Sequence, residues 1–396
     1  MIESEPKIII ENLIKIYGDN PRRALKIWRD GGTRDSLLQT TGNVLGIADV
    51  SLTVNRGELF VVMGLSGSGK STLVRCINRL IDPTSGHIYI DNEDIAHLDE
   101  KRMREIRLSK ISMVFQGFGL FPHKTVVENV EYGLKIRGID KVKRREKAML
   151  TLETVGLLKW ADYFPAALSG GMQQRVGLAR ALATDGEILL MDEPFSALDP
   201  LIRREMQEEL LALQAEFHKT IIFISHDIQE ALKIGNRIAV MKDGYIVQVG
   251  TPEDIIVQPV NDYIRAFSRD VNRAQVIKTG SIARPTITSI IGGDSLEGAL
   301  AKMVDYNLEA MYILDGDGKP VGILKRRLLE GGIEQGKVEI NKVMETNFPV
   351  AIDSSTIENT LHLWQGGIPV AVVDEKGKFQ GAIAISALLA SLKGSL

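Results

Sequence analysis

The 396-residue sequence predicts an α/β fold with a largely parallel sheet, followed by a smaller α+β module written twice. Three observations lead there. Short apolar runs at 59–63, 188–191 and 221–225 alternate with long helical stretches up to about residue 250, as buried parallel strands joined by crossover helices do. A glycine-rich turn follows the first run and opens a helix. Beyond residue 280, YILDGDGKPVGIL at 312–324 returns as VVDEKGKFQGAI at 372–383. Asp315, Gly318 and Gly322 thereby recur as Asp374, Gly377 and Gly381, a period of 59.

Taken in order, the chain is β-rich up to Gly64, with a helical hairpin inserted at 20–42. Asn20 is placed to cap it, Pro21 suits a first turn, and Gly31, Gly32 and Gly42 end its two segments. The α/β core runs to about residue 250. Pro252 and Pro259 mark 251–281 as a connector, and the repeats follow at 282–336 and 337–396. Each repeat carries a helix-start signal, Asp294 with Glu297 and Ser355 with Glu358. Two ββα-like units that each bury one face poorly are expected to pair into one globule.

Composition narrows the class. With 44% hydrophobic and 25% charged residues the chain is globular and long enough for two or three domains. A net charge of −3 gives no global drive toward nucleic acid. A lone cysteine, Cys76, rules out an internal disulfide framework and fits core packing in a reducing compartment. The N-terminus has acidic residues before a short apolar run and lacks the basic region and cleavage site expected of a secretory signal, and no apolar run approaches the roughly 20 residues of a membrane helix. Any membrane role therefore calls for another subunit to do the spanning.

The chemistry begins at GLSGSGKST, residues 64–72, directly after the apolar strand LFVVM. Gly64, Gly67 and Gly69 leave room for backbone amides to wrap phosphates, with Ser66, Ser68 and Thr72 in the same loop and helix start. Lys70 reaches the outer phosphates, and Ser71 is a candidate Mg²⁺ ligand at the head of a helix. In ILLMDEP, residues 188–194, a buried strand delivers Asp192 to the same metal, and Glu193 beside it can deprotonate an attacking water.

Other motifs carry a family resemblance. LSGGMQQR at 168–175 resembles the signature of ABC-transporter ATPases, Gln116 in VFQGFGLFP its Q-loop, Ser196 to Asp199 its D-loop, and His226 in FISHD its switch histidine. From the residues alone, Ser169, Gly170 and Gly171 expose amides at a helix start, a phosphate-binding arrangement. The resemblance implies a P-loop NTPase of the ABC ATPase type over 1–250, with a RecA-like core, a helical subdomain at 117–172 and an antiparallel β subdomain, followed by a tandem CBS (α+β) module. It implies ATP and Mg²⁺ as cofactors and a second copy of the chain as partner. Two copies sandwich two nucleotides, with Ser169, Gly170, Gly171, Gln173 and Asp199 serving the ATP held by the other copy. By the same resemblance Gln116 senses the metal and the lytic water, and His226 contacts the γ-phosphate and holds Glu193. Tyr17 in LIKIYG matches the aromatic that stacks on adenine, with core packing as its alternative role.

The stretch 118–138, the hairpin and the tail together resemble ATPase subunits of glycine betaine and related quaternary-amine importers. This implies ATP-driven uptake of a compatible solute at the cytoplasmic face of a membrane, with a polytopic permease as partner and a fused or separate substrate-binding domain. The tail would regulate the motor. Where ligand-binding CBS repeats carry Thr or Ser and Asp, this chain has Lys325 and Leu328, then Ala384 and Ala387. The run Lys325, Arg326 and Arg327 offers itself instead to a phosphate-rich ligand, an adenine nucleotide or cyclic di-AMP, with a solvated basic face as the alternative. A second basic run at 135–147 includes Lys141, Lys143, Arg144 and Arg145 and is a candidate for resting on anionic lipid, a contact that salt would weaken. Residues 22–29 are a weaker candidate. The rival class is a soluble ABC ATPase that remodels a non-membrane assembly with the CBS module as nucleotide sensor, though such chains usually fuse two motors. A switch without turnover would lack an acid after Asp192.

Overall fold

A computed structural model describes residues 5–335, 339–364 and 368–393. The chain divides into two units, one reaching Ile255 and taking in Val260–Ser268, the other made of Ile256–Pro259 and Arg269–Leu396.

The strands of the first unit are β1 (Pro6–Tyr17), β2 (Val44–Asn55), β3 (Leu59–Met63), β4 (Ser85–Ile90), β5 (Glu93–Asp94), β6 (Ile111–Val114), β7 (Ile188–Asp192), β8 (Thr220–Ser225), β9 (Arg237–Lys242) and β10 (Tyr245–Gly250). They form an antiparallel sheet of order β2-β1-β4-β5 and a second sheet of order β10-β9-β3-β8-β7-β6. In the second sheet β3, β6, β7, β8 and β9 run parallel. Parallel strands are covered on both faces, so they read as unbroken apolar runs, and every residue of β3, β7 and β8 is buried. Alternate side chains then feed opposite layers: Phe60, Val62 and Leu190 pack with Leu73 and Ile77 on one side, while Leu59, Val61, Leu189 and Met191 pack with Met206 and Leu210 on the other. Cys76 sits in the first of these layers, where burial pushes its thiol up to about 12.

The insert at 20–42 is a pair of helices, Pro21–Arg29 and Arg34–Thr41. Asn20 accepts the amide of Arg23, and Gly42 closes the second helix at a left-handed φ of 69°. The insert leaves β1 and β2 paired antiparallel, with Tyr17 opposite Val44.

A helical bundle has its own core of Val126, Val127, Val130, Leu134, Ala148 and Leu152. That core also draws on Val176, Ala179 and Ala183 of the helix Gly170–Ala183, so the bundle runs past residue 172, where the sequence led us to end it. The stretch 251–281, expected as a connector, is shared out: Ile255 and Ile264 are buried in the first unit's core, and Ala274 and Ile277 in the second's.

The second unit repeats one plan. In β11 (Thr288–Ile290), β12 (Ala310–Leu314) and β13 (Pro320–Lys325), the first pair is parallel and the second antiparallel. In β14 (Val350–Ile352), β15 (Val370–Val373) and β16 (Phe379–Ile383) the same pattern returns. The turns match in detail: Asp315 Oδ1 accepts the amides of Asp317 and Lys319 at 2.9 and 2.8 Å, and Asp374 Oδ1 accepts those of Lys376 and Lys378 at 2.9 and 2.8 Å. Gly318 and Gly377 both sit at φ 79°. The helix starts fall one residue later than expected, at Ser295 and Thr356. Asp294 is engaged elsewhere, accepting from Lys302 Nζ at 2.7 Å and from Ser289 Oγ.

The repeats exchange their lead-in segments. Arg284, which precedes the first sheet, bridges Ala382 of β16, and Glu345, which precedes the second, bridges Ile323 of β13. Ile277 and Ile282 likewise pack with Ile357, Val372 and Ile383, while Ile340 and Val343 pack with Met311, Ile313 and Leu324. Neither repeat closes its own core, which is the physical reason for finding the module twice. Among the described residues, no helix is long and apolar enough to cross a membrane.

Candidate active site

Open α/β sheets gather functional loops at the carboxyl ends of their parallel strands. Here four neighbouring strands do so: Gly64 follows β3, Gln116 follows β6, Asp192 and Glu193 end and follow β7, and His226 follows β8. Residues far apart in sequence thereby share one edge.

The loop after β3 packs tightly against the sheet. Gly64 has a φ of 152°, and a Cβ there would lie 2.2 Å from the Met241 carbonyl oxygen. Lys70, 4% exposed, heads the helix Lys70–Ile77 and donates to the carbonyls of Gly64 and Leu65 at 3.0 Å each. Burial pushes its ammonium below the ordinary lysine range, with Glu193 and Asp192 pulling the other way. The Ser68 hydroxyl is buried in the same loop without a partner among the described residues. An unpartnered buried hydroxyl and a buried lysine in a cradle of backbone amides suit an oxyanion-rich ligand. Ser66 and Gly67 lie in the turn of this cradle and Gly69 caps the helix.

Two adjacent acids take separate neighbours. Asp192, 1% exposed, accepts from Ser71 Oγ at 2.7 Å and from Arg75 Nη2 at 3.2 Å. Glu193 projects at a φ of 47°, a left-handed conformation that costs a non-glycine residue of order 1 kcal/mol and recurs at functional sites. Its Oε2 accepts from Gln116 Nε2 at 3.3 Å and lies 3.2 Å from His226 Nδ1, while Oε1 is 4.0 Å from Lys70 Nζ. Three motif residues from three other loops thus converge on one carboxylate. Gln116, expected at a metal, points its amide nitrogen at Glu193.

Tyr17 lies at this site in spite of the insert, its hydroxyl 3.0 Å from Thr72 Oγ1 and its ring against Gly46. Sequence reasoning missed Arg75, although it stands four residues after Ser71 on the same helical face, a spacing that could have pointed to it. The signature residues make local contacts. Ser169 caps its helix by accepting the Met172 amide, Gln173 donates to the Leu168 carbonyl at 3.1 Å, a Cβ on Gly171 would meet Ile202, and Asp199 precedes the helix Pro200–Phe217. Among the described residues, no hydrogen bond or ion pair joins Ser169, Gly170, Gly171, Gln173 or Asp199 to the phosphate loop.

The basic runs are more committed than their charge suggests. Arg144 and Arg145 reach Glu131 at 3.2 and 3.3 Å, and Arg145 also reaches Asp162 at 2.8 Å, tying the helix Lys141–Thr154 to its neighbour. Lys141 and Lys143 remain exposed. In the second unit Lys325 pairs with Glu345 at 2.7 Å and Arg326 with Glu330 at 3.1 Å, while Arg327 is exposed. Lys325 and Arg327 line a cavity of about 650 Å³ together with Arg284, a cation the sequence did not single out.

Comparison with known proteins adds the family. Residues 47–196 match the ABC transporter family model and 280–329 the CBS domain model. The chain is 44% identical over 396 residues to the glycine betaine transport ATP-binding protein OpuAA of Bacillus subtilis, covering all of this chain and 94% of that one. It is 46% identical over 391 residues to the glycine betaine/proline betaine transport system ATP-binding protein ProV of Escherichia coli, covering 98% and 97%. A solved dimeric ATP-binding cassette in a post-hydrolysis state, bound to ADP and Pi, matches 62% of this chain and 98% of its own with a TM-score of 0.53 and 34% identity.

Proposed function

Because the chain belongs to the family of ABC-transporter ATP-binding proteins for glycine betaine and related solutes, we propose that it is the ATP-hydrolysing subunit driving uptake of such a solute. The convergence of Gln116, His226 and Lys70 on Glu193, beside the Ser71–Asp192 pair, carries the catalytic part. In that arrangement Glu193 takes the proton of the attacking water, His226 and Gln116 fix the carboxylate, and Lys70 with the loop amides receives the phosphates. Ser71 and Asp192 present the hard oxygen donors that Mg²⁺ prefers, and bound Mg²⁺ would offset phosphate charge. Tyr17 offers its ring to adenine.

That Ser169, Gly170 and Gly171 make no hydrogen bond to the phosphate loop among the described residues fits a site completed by a second copy of the chain. The permease side has a candidate seat in an apolar groove of about 480 Å³ near the Gln116 loop, lined by Met113, Phe115, Phe121, Tyr132 and Arg180. In the tail, the cavity with Arg284, Lys325 and Arg327 supports regulation by a phosphate-bearing ligand such as an adenine nucleotide or cyclic di-AMP. Contact with anionic lipid rests on Lys141 and Lys143, since Arg144 and Arg145 are held by Glu131. The test is ATP hydrolysis by the chain reconstituted with its permease across salt concentrations. Stimulation by glycine betaine that depends on salt is expected, and hydrolysis indifferent to every quaternary amine overturns the reading.

A further inference from the structure

Away from the nucleotide site, the edge of the antiparallel sheet gathers three potential ligands. The two-residue turn Asp91-Asn92, with φ of 50° and 64°, joins β4 to β5 in the manner of a type I′ hairpin. It sets Asp94 opposite Tyr89, close to His87 on the same strand. Asp94 Oδ1 accepts the Ala96 amide at 3.0 Å and so caps the short 3₁₀ turn Ile95–His97, which brings His97 alongside. The other oxygen, Oδ2, is left between two imidazoles, 2.8 Å from His87 Nδ1 and 2.9 Å from His97 Nδ1, with the rings 5.1 Å apart. One ligand atom from each residue lies within 4.8 Å of the others. Burial pulls the Asp94 carboxyl upward, yet hydrogen bonds from both histidines and from the Ala96 and Ile88 amides hold it below the ordinary range. Glu11 is the cross-strand partner of His87, so its charge falls on the same face of the sheet.

We propose that His87, Asp94 and His97 form a binding site for a divalent transition cation, with Zn²⁺ the member best matched to two imidazoles and one carboxylate oxygen. Tetrahedral bonds of about 2.0–2.1 Å place neighbouring ligand atoms about 3.3 Å apart. The two contacts to Asp94 need to open by about half an ångström, and the two imidazole ligand atoms, within 4.8 Å of each other, to settle at the same spacing. Both imidazoles are exposed and free to make the adjustment, while the backbone amides keep Asp94 in place. On binding, each neutral imidazole carries its proton on Nε2 instead of Nδ1, so the ion takes the position the two hydrogen bonds now span. Three protein ligands leave a fourth position for water or an outside donor. The ion would clip the edge strand β5 to β4.

The test uses the full chain without an affinity tag and without nucleotide, in excess Mg²⁺, with Zn²⁺ titrated against a chromophoric chelator. One Zn²⁺ per chain is expected, with affinity falling at least about 10-fold in both His87→Asn and His97→Asn. Asp94→Asn keeps an oxygen for the Ala96 amide and should also weaken binding. His226→Asn should bind as the wild type does, which separates this site from the one at Glu193. Metal-free melting by circular dichroism checks that each variant is folded. No uptake by the wild type, or undiminished uptake by folded His87→Asn and His97→Asn, would mean that the imidazoles only hydrogen-bond to Asp94, and would overturn the proposal.

Discussion

Replacing Glu193 with glutamine isolates the proposed base from everything around it. The amide is nearly the same size, and its oxygen can keep one of the two contacts now made to Oε2 by Gln116 at 3.3 Å and His226 at 3.2 Å. What disappears is the proton acceptor. General-base catalysis contributes about 10²- to 10⁴-fold, and at 1.36 kcal/mol per decade its loss raises the barrier by about 3–5 kcal/mol. Ser71 and the loop carbonyls to which Lys70 donates are untouched and only the 4.0 Å ion pair between Lys70 and Oε1 is lost, so ATP affinity should stay within about 3-fold, which is under 1 kcal/mol. Glu193→Asp serves as the intermediate case, because shortening the side chain by one methylene draws the carboxylate back from Gln116, His226 and Lys70 together. Single-turnover phosphate release measures hydrolysis, and equilibrium nucleotide binding is measured on the same preparations. Hydrolysis by Glu193→Gln within about 3-fold of wild type would refute the role of Glu193.

Other expectations follow from the same geometry. Gly64→Ala forces a Cβ to within 2.2 Å of the Met241 carbonyl at a φ of 152°, so urea unfolding should show a loss of more than about 1 kcal/mol and nucleotide binding should disappear. Tyr17→Ala removes a ring whose hydroxyl lies 3.0 Å from Thr72, and should weaken ATP binding by about 2- to 12-fold, the equivalent of about 0.5–1.5 kcal/mol, in a fluorescence titration. Burial raises the Glu230 carboxyl above its ordinary 4.5, against hydrogen bonds from Ser225 and Gln207. A raised folded pKa gives stability that is fully present below the unfolded value and lost as pH rises through the folded one. Glu230→Gln should therefore gain on the wild type as pH climbs from 4 toward neutrality, as read from thermal melts at each pH.

What could be read from the chain alone was what is local. The phosphate loop, the Asp192-Glu193 pair and His226 each follow an apolar run, and parallel strands bring such runs to one edge without further instruction. Tyr17 was uncertain because its place depends on the pairing of β1 with β2 across a 26-residue excursion, and register between distant strands leaves no mark in a short window. The basic helix likewise has partners that its own run does not show. Counting lysines and arginines along 135–147 leaves out Glu131 and Asp162, which bind Arg144 and Arg145 from outside the run. At Asp294 and Ser295 two good capping residues stand side by side, and the contacts of Asp294 with Lys302 and Ser289 leave the serine to cap. The exchange of lead-in segments between repeats was likewise invisible, although the repeat itself was plain.

A site shared by two copies makes a demand on mixtures of inactive chains. Lys70→Ala removes the phosphate-loop lysine and Ser169→Arg blocks the signature, so each variant alone should be nearly inactive. In a mixed pair, the Ser169→Arg copy supplies an intact Lys70 and the Lys70→Ala copy an intact Ser169, which leaves one whole site. Equal mixing with free exchange makes half the pairs mixed, so about a quarter of wild-type ATP hydrolysis should return. Steady-state phosphate release from that mixture is the measurement. No recovery from two folded, exchanging variants, or full activity from either alone, would contradict a catalytic centre built from two chains.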